Sequence, residues 1–161
     1  MTLLGRILLG VVAMELLVGG AAIAWKVSAP RSPLADLSGV DAITAGALRQ
    51  MVESVRTPED WRKLGEAYMS MGFFRESEAC HRVAAERNAG NAETVQQWAL
   101  ALERLGSLDD ANGAYARAAK LDPARSASCN YLIGRNELRQ EDVPAARQAF
   151  QAVREPPAAR Y

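Results

Sequence analysis

Apolar positions in the last three quarters of this chain recur at steps of three and four, the spacing that keeps residues on one face of a helix. Val40, Ile43, Ala47, Met51 and Val55 predict a first amphipathic helix whose stripe packs as a lid on the helices after it. Thr57, Pro58 and Asp60 then spell a helix start: a capping hydroxyl, a proline at the first helical position and an acid that closes the capping box. Trp61, Leu64, Gly65 and Tyr68 form the apolar face of that helix, and Gly72 marks a tight turn. Phe73 and Phe74 open a second helix packed through Ser77, His81 and Ala84. A second hairpin comes next, with Asn91 as cap and Val95, Trp98, Ala99 and Leu102 in its first helix. Gly106-Ser107 is its turn, its second helix carries Leu108, Ala111, Tyr115 and Ala118, and Asp122-Pro123 ends it. A third pair is expected around Leu132, Ile133 and Gly134, a turn near Glu141-Asp142, and Val143, Ala146, Phe150 and Val153. Pro156-Pro157 terminates it.

These hairpins are copies of one unit. Gly72, Ser77, His81 and Ala84 recur 34 positions on as Gly106, Ala111, Tyr115 and Ala118, and the last three recur as Ala146, Phe150 and Val153 at a step of 35. A period of this length means that one helical hairpin is stacked on the next. The expected product is an all-α solenoid that presents a binding surface rather than a catalytic cleft. Units of about 58–91, 92–125 and 127–157 make up a domain spanning 57–157.

The amino terminus has a different character. From Ile7 to Trp25 the chain is apolar apart from Glu15, with Arg6 before it and Lys26 after it. Nineteen helical residues at about 1.5 Å each reach about 28 Å, close to the hydrocarbon thickness of a bilayer. Residues 1–27 therefore read as a transmembrane anchor, with a cleaved signal peptide ending near Ala22-Ile23-Ala24 as the competing reading. Glu15 favours the anchor, because it cuts the apolar run before it to eight residues; within a bilayer this acid is neutral or faces a partner helix. Residues 28–56 form a spacer carrying Pro30 and Pro33 and then the amphipathic helix. The short basic head and long domain after it place the repeats outside a bacterial inner membrane, on the periplasmic side.

Nineteen basic and nineteen acidic residues cancel, so total charge does not point to nucleic acid. The basic set is 16 Arg and only 3 Lys, a skew that suggests a GC-rich bacterial genome. Cys80 and Cys129 fall in different hairpins and read as buried thiols rather than a disulfide. His81 holds the place filled by Tyr115 and Phe150 in the other units, and so reads as a packing residue. No Cys/His spacing suits a metal, no glycine-rich loop suits a phosphate, and no nucleophile motif surrounds any serine. A non-enzyme without cofactor is the expectation.

The spacing Trp61-x2-Leu64-Gly65-x2-Tyr68, with Gly72 and Ala84 beyond it, resembles the tetratricopeptide-repeat signature over residues 58–157. In that family, helix residues facing away from their hairpin partner line a concave groove for a protein or peptide. The resemblance implies a groove built from Arg62, Glu66 and Met69; then Glu93, Gln96, Leu100, Glu103 and Arg104; then Tyr131, Arg135 and Arg139. Arg135 and Arg139, one turn apart, are expected to clamp a partner carboxylate. Repeat domains that grip the acidic tail of cytosolic chaperones carry asparagines where this chain has Glu66 and Leu100, which argues against that subtype. Anchor, spacer and repeats together are similar to envelope assembly factors, such as the repeat proteins of cytochrome c maturation. Two other readings stay open. Ala158-Ala159-Arg160-Tyr161 looks like the start of a fourth unit, so the chain is either the front of a longer enzyme or signalling protein, or self-associates through the uncapped third hairpin.

Overall fold

A computed structural model describes residues 32–154. The apolar stretch Ile7–Trp25, the first part of the spacer and the segment from 155 to 161 lie outside the described residues. Among the described residues there is no strand, and no helix is long and apolar enough to cross a membrane. Among the described residues seven α-helices run in succession: α1 Ala42–Ser54, α2 Pro58–Ser70, α3 Phe74–Arg87, α4 Ala92–Arg104, α5 Leu108–Leu121, α6 Ser126–Arg139 and α7 Val143–Arg154. A short 3₁₀ turn, Pro123–Arg125, links α5 to α6. The pairs α2–α3, α4–α5 and α6–α7 are three hairpins stacked in order, as the repeat predicts.

Local chemistry sets the helix ends. Thr57 Oγ1 accepts from the Asp60 amide at 3.1 Å, while Asp60 Oδ2 accepts from the Thr57 amide at 2.8 Å, completing the capping box in front of α2. Asp41 caps α1 and Asn91 caps α4 by accepting from first-turn amides, without the reciprocal bond of a box. All three hairpin turns close by one device. The amides of Phe73, Ser107 and Asp142 donate to the carbonyls of Tyr68, Leu102 and Glu137, each five residues back, and the residue before each donor has positive φ. That residue is Gly72 (φ 80°), Gly106 (φ 83°) and, in the third hairpin, Glu141 (φ 63°).

Within each hairpin a bulky side chain of the second helix seats on a small residue of the first. The register pairs are His81 on Gly65, Tyr115 at the level of Ala99, and Phe150 on Gly134. Helices can approach this closely only where one of them lacks a large side chain. Two buried clusters result. One is centred on Trp61, Leu64, Tyr68, Cys80 and Ala84 in hairpin one, the other on Val95, Ala99, Ala111, Tyr115 and Ala118 in hairpin two. Both cysteines are buried and unbridged, as expected.

Two expectations about the segment before α2 need correction. Ser32–Leu37 is not a free spacer. Ala35 and Leu37 are buried in the first cluster, the Tyr68 hydroxyl donates to the Pro33 carbonyl at 2.8 Å, and Ser32 Oγ donates to the Val52 carbonyl at 3.4 Å. This stretch is a strap across the top of hairpin one. On α1, Ala45, Leu48 and the flanking Val55 are buried, whereas Ala47 is exposed and Ile43 is 86% exposed. Of the expected stripe, Val55 is buried and Val40 and Met51 pack half-buried against the same cluster; only Ile43 and Ala47 face outward, and Ala45, Leu48 and Val52 take their place on the inner face.

Candidate functional site

Every residue that the resemblance assigns to the groove lies on the first helix of a hairpin, and the repeat register arranges most of them in rows. Arg62, Gln96 and Tyr131 occupy equivalent positions on α2, α4 and α6. So do Glu66, Leu100 and Arg135, then Met69, Glu103 and Leu138, and finally Ser70, Arg104 and Arg139.

The charged members are largely engaged with each other. Arg62 is only 19% exposed; it donates twice to Glu59, at 2.8 and 2.6 Å, and also to Glu66. The hydrogen bonds to Glu59, joined by the charges of Glu66 and Glu93, hold the Arg62 pKa above its ordinary value despite partial burial. Gln96 accepts from Arg125 Nη1 at 2.8 Å, and Arg125 reaches back to Asp122 at 3.2 Å. Arg104 is exposed and Tyr131 is 54% exposed, leaning on Phe150 with ring centroids 5.9 Å apart.

Arg135 and Arg139 do converge on a carboxylate, but it is the chain's own Glu103. Arg135 Nη2 sits 2.5 Å and Arg139 Nη1 3.6 Å from Glu103 Oε1, while the Tyr115 hydroxyl donates to Oε2 at 3.1 Å. Glu103 is 7% exposed, so the clamp expected for a partner ties hairpin three to hairpin two instead. Burial, reinforced by the negative charge of Glu103, raises the Tyr115 pKa. An acid in a row otherwise filled by Met69 and Leu138 was the available sign that its environment is apolar.

On the face where the groove is expected, a half-open pocket of about 190 Å³ lies where α4 meets α6. Leu100, Leu132 and the Tyr115 ring form its apolar wall; Glu93, Gln96, Gln97 and Arg125 form its polar rim. Gln97, Leu132, Tyr115 and Arg125 were not among the expected groove residues. Arg125 in particular arrives from the 3₁₀ turn, which the helical register does not locate. Glu93, Gln96 and Leu100 were expected, and the structure brings them together here.

The histidine and the cysteine of hairpin one lie in its core and not among the groove-facing side chains. His81 is fully buried, without a partner for either ring nitrogen, and burial, with the nearby Arg62 charge, lowers its pKa to about 4. Burial pushes the Cys80 thiol up to about 12, which leaves it without thiolate character. Among the described residues no three His, Cys, Asp or Glu side chains cluster to hold a metal.

No protein-family model and no characterised protein sequence matches the chain. Solved structures do. A crystal structure of MamA superposes with a TM-score of 0.63 at 18% identity, over 71% of this chain and 68% of that one. A second MamA structure, from MSR-1, gives 0.64 at 20% identity, over 73% and 67%. The second tetratricopeptide-repeat domain of Spaghetti (RPAP3), bound to the HSP90 peptide SRMEEVD, gives 0.56 at 16% identity, over 70% and 99%. At these identities the likeness establishes the fold alone: the described residues form three stacked helical hairpins arranged as in a tetratricopeptide-repeat domain.

Proposed function

We propose that this chain is a protein-interaction module that lays an extended partner segment across α2, α4 and α6. One aliphatic side chain of the partner fills the Leu100–Leu132 pocket, and the partner backbone meets the rim amides of Gln96 and Gln97. The pocket is the observation that carries this reading, since it combines an apolar floor with polar groups able to orient a chain. Gln96 spends its carbonyl on Arg125, which leaves its amide hydrogens for a partner carbonyl. An acidic tail such as the peptide of the RPAP3 complex is a poor match: Arg62, Arg135 and Arg139 already have carboxylate partners, and Glu66 and Glu93 add negative charge. An uncharged, apolar-containing segment suits the groove better. The apolar stretch Ile7–Trp25 supports a tether to a bacterial inner membrane, repeats on the periplasmic side, in a scaffold or assembly role.

The test is cross-linking capture from native membranes with wild type and with Leu100→Glu, a half-buried position that belongs to neither core cluster. A defined partner captured by the wild type and lost in the variant supports the groove. The same proteins captured equally by both, with the variant's helical signal intact, would overturn it.

A further inference from the structure

Hairpin three has a second surface, at the end of the stack and outside the groove. Leu138, Val143, Ala146 and Phe150 floor a cavity of about 380 Å³ on the face of α6–α7 turned away from hairpin two, and Arg147, Gln151 and Arg154 edge it. Leu138 and Val143 are about half exposed. Among the described residues no helix lies on this face.

The repeat register says what shape belongs there. Subtracting 35 from each lining position gives Glu103, Leu108, Ala111, Asn112, Tyr115, Ala116 and Ala119, the face of hairpin two on which α6 packs. On that face Glu103 takes Arg135 and Arg139, Asn112 bonds to both Asn136 and Glu137, and Ala119 lines a cavity with Ser126 and Asn130. At the junction before it Glu78, equivalent to Asn112, also meets the incoming helix, there accepting at 2.9 Å from Trp98 Nε1 of α4, a position one turn earlier in register than Asn136 and Glu137. Each of these polar positions on a second helix thus reaches a side chain of the next incoming helix.

At the end face the same positions carry different chemistry. Leu138 replaces Glu103, Arg147 replaces Asn112 and Arg154 replaces Ala119. The complement changes accordingly. Where α6 presents Arg135, the incoming helix needs an apolar residue. Where it presents Glu137 an acid is favoured opposite Arg147, and where it presents Asn130 a second acid is favoured opposite Arg154. Acids seven residues apart lie on one helical face, two turns from each other.

We propose that the α6–α7 end face docks an amphipathic helix of a partner protein, apolar at its centre and acidic at two positions seven residues apart. The arginines set its register and orientation, and the Leu138–Phe150 floor supplies the burial. This surface is separate from the groove, so either can fail alone.

The test uses the full chain in detergent and a helix-stapled, fluorescent peptide with the α6 sequence carrying Asn130→Glu and Arg135→Leu. Saturable anisotropy binding is expected, weakened at least roughly tenfold by Arg147→Glu/Arg154→Glu. Both arginines are exposed, so that variant retains its fold. A peptide with Asn130→Lys, Glu137→Lys and Arg135→Leu should show the reverse preference. No saturable binding, or equal affinity for both chains, overturns the proposal. So does sedimentation showing a dimer of the chain alone that becomes monomeric on charge reversal, because the face would then belong to a second copy.

Discussion

Gly65 and His81 touch so closely that a β-carbon on the glycine would lie 2.8 Å from Nε2 of the imidazole. Two further ring atoms would be at 2.9 Å, and the ring is fully buried, so it has nowhere to retreat. Gly65→Ala should therefore cost about 1–2 kcal/mol, the strain outweighing the helix propensity gained. Gly113 of α5 has open space around its Cα, so Gly113→Ala should stabilise by about 0.5–1 kcal/mol. Urea denaturation monitored by circular dichroism reads both, and effects of the same sign would contradict the close contact at Gly65.

His81 also makes stability depend on pH. Its folded pKa, about 4, lies below the ordinary 6.5, so as pH falls the unfolded chain takes up the proton first. The contribution is complete above pH 6.5 and is lost progressively as pH drops toward 4, a change of about 3 kcal/mol at most. His81→Phe, which places the third hairpin's residue in the first, removes the orphaned ring nitrogens and should flatten this part of the profile. Denaturation midpoints at pH 7.5 and 4.5 for the two proteins check it: a parallel loss in both would show that other groups are responsible.

Glu103 holds hairpins two and three together, and its two oxygens do different work. Glu103→Ala leaves the buried Tyr115 hydroxyl without its acceptor and two arginines without a counter-charge, for a loss of about 2–3 kcal/mol. Tyr115→Phe removes one hydrogen bond and should cost about 1 kcal/mol. Arg139→Ala should cost under about 0.5 kcal/mol, since that contact is 3.6 Å and the arginine is half exposed. The ranking, measured by chemical denaturation, separates a buried latch from a surface ion pair; equal effects would contradict it.

Glu141 is the one non-glycine residue with positive φ among those described. The other two hairpins place glycine there, and a side chain in the left-handed region costs about 1 kcal/mol. Glu141→Gly should raise the thermal midpoint, and an unchanged or lower midpoint would mean that the glutamate is held by more than its backbone.

The parts legible in the sequence were those governed by neighbours along the chain. Thr57, Pro58 and Asp60 form their box with one another, Gly72 and Gly106 supply positive φ where the turn needs it, and the 34-residue period puts His81, Tyr115 and Phe150 at one structural position. What was not legible depends on contacts made across the fold. Ile43 and Leu48 are equally good helix-face residues by spacing alone; only the packed fold puts Leu48 in the first cluster and leaves Ile43 exposed. Arg135 and Arg139 have the right spacing to hold a carboxylate, yet spacing on α6 says nothing about Glu103 one hairpin away. The pocket under Leu100 needed Arg125 from a 3₁₀ turn that no periodicity marks.

The strap itself offers the last test. Residues 32–37 have no regular secondary structure, so their order rests on a few contacts: buried Ala35 and Leu37, and the Tyr68 hydroxyl on the Pro33 carbonyl. Tyr68 is otherwise anchored, with its ring edge-on to Phe73 at 6.1 Å, so Tyr68→Phe removes the hydrogen bond alone and should cost about 1 kcal/mol. Leu37→Asp places a charge in the first cluster and should release the strap and loosen α1, which meets hairpin one through the same cluster. Amide hydrogen exchange over residues 32–55 should accelerate strongly in that variant, while α4 to α7 keep wild-type protection. If α1 stays protected after the strap is released, then Ala45, Leu48 and Val55 hold it without help, and the strap only covers a surface that α1 and hairpin one already share.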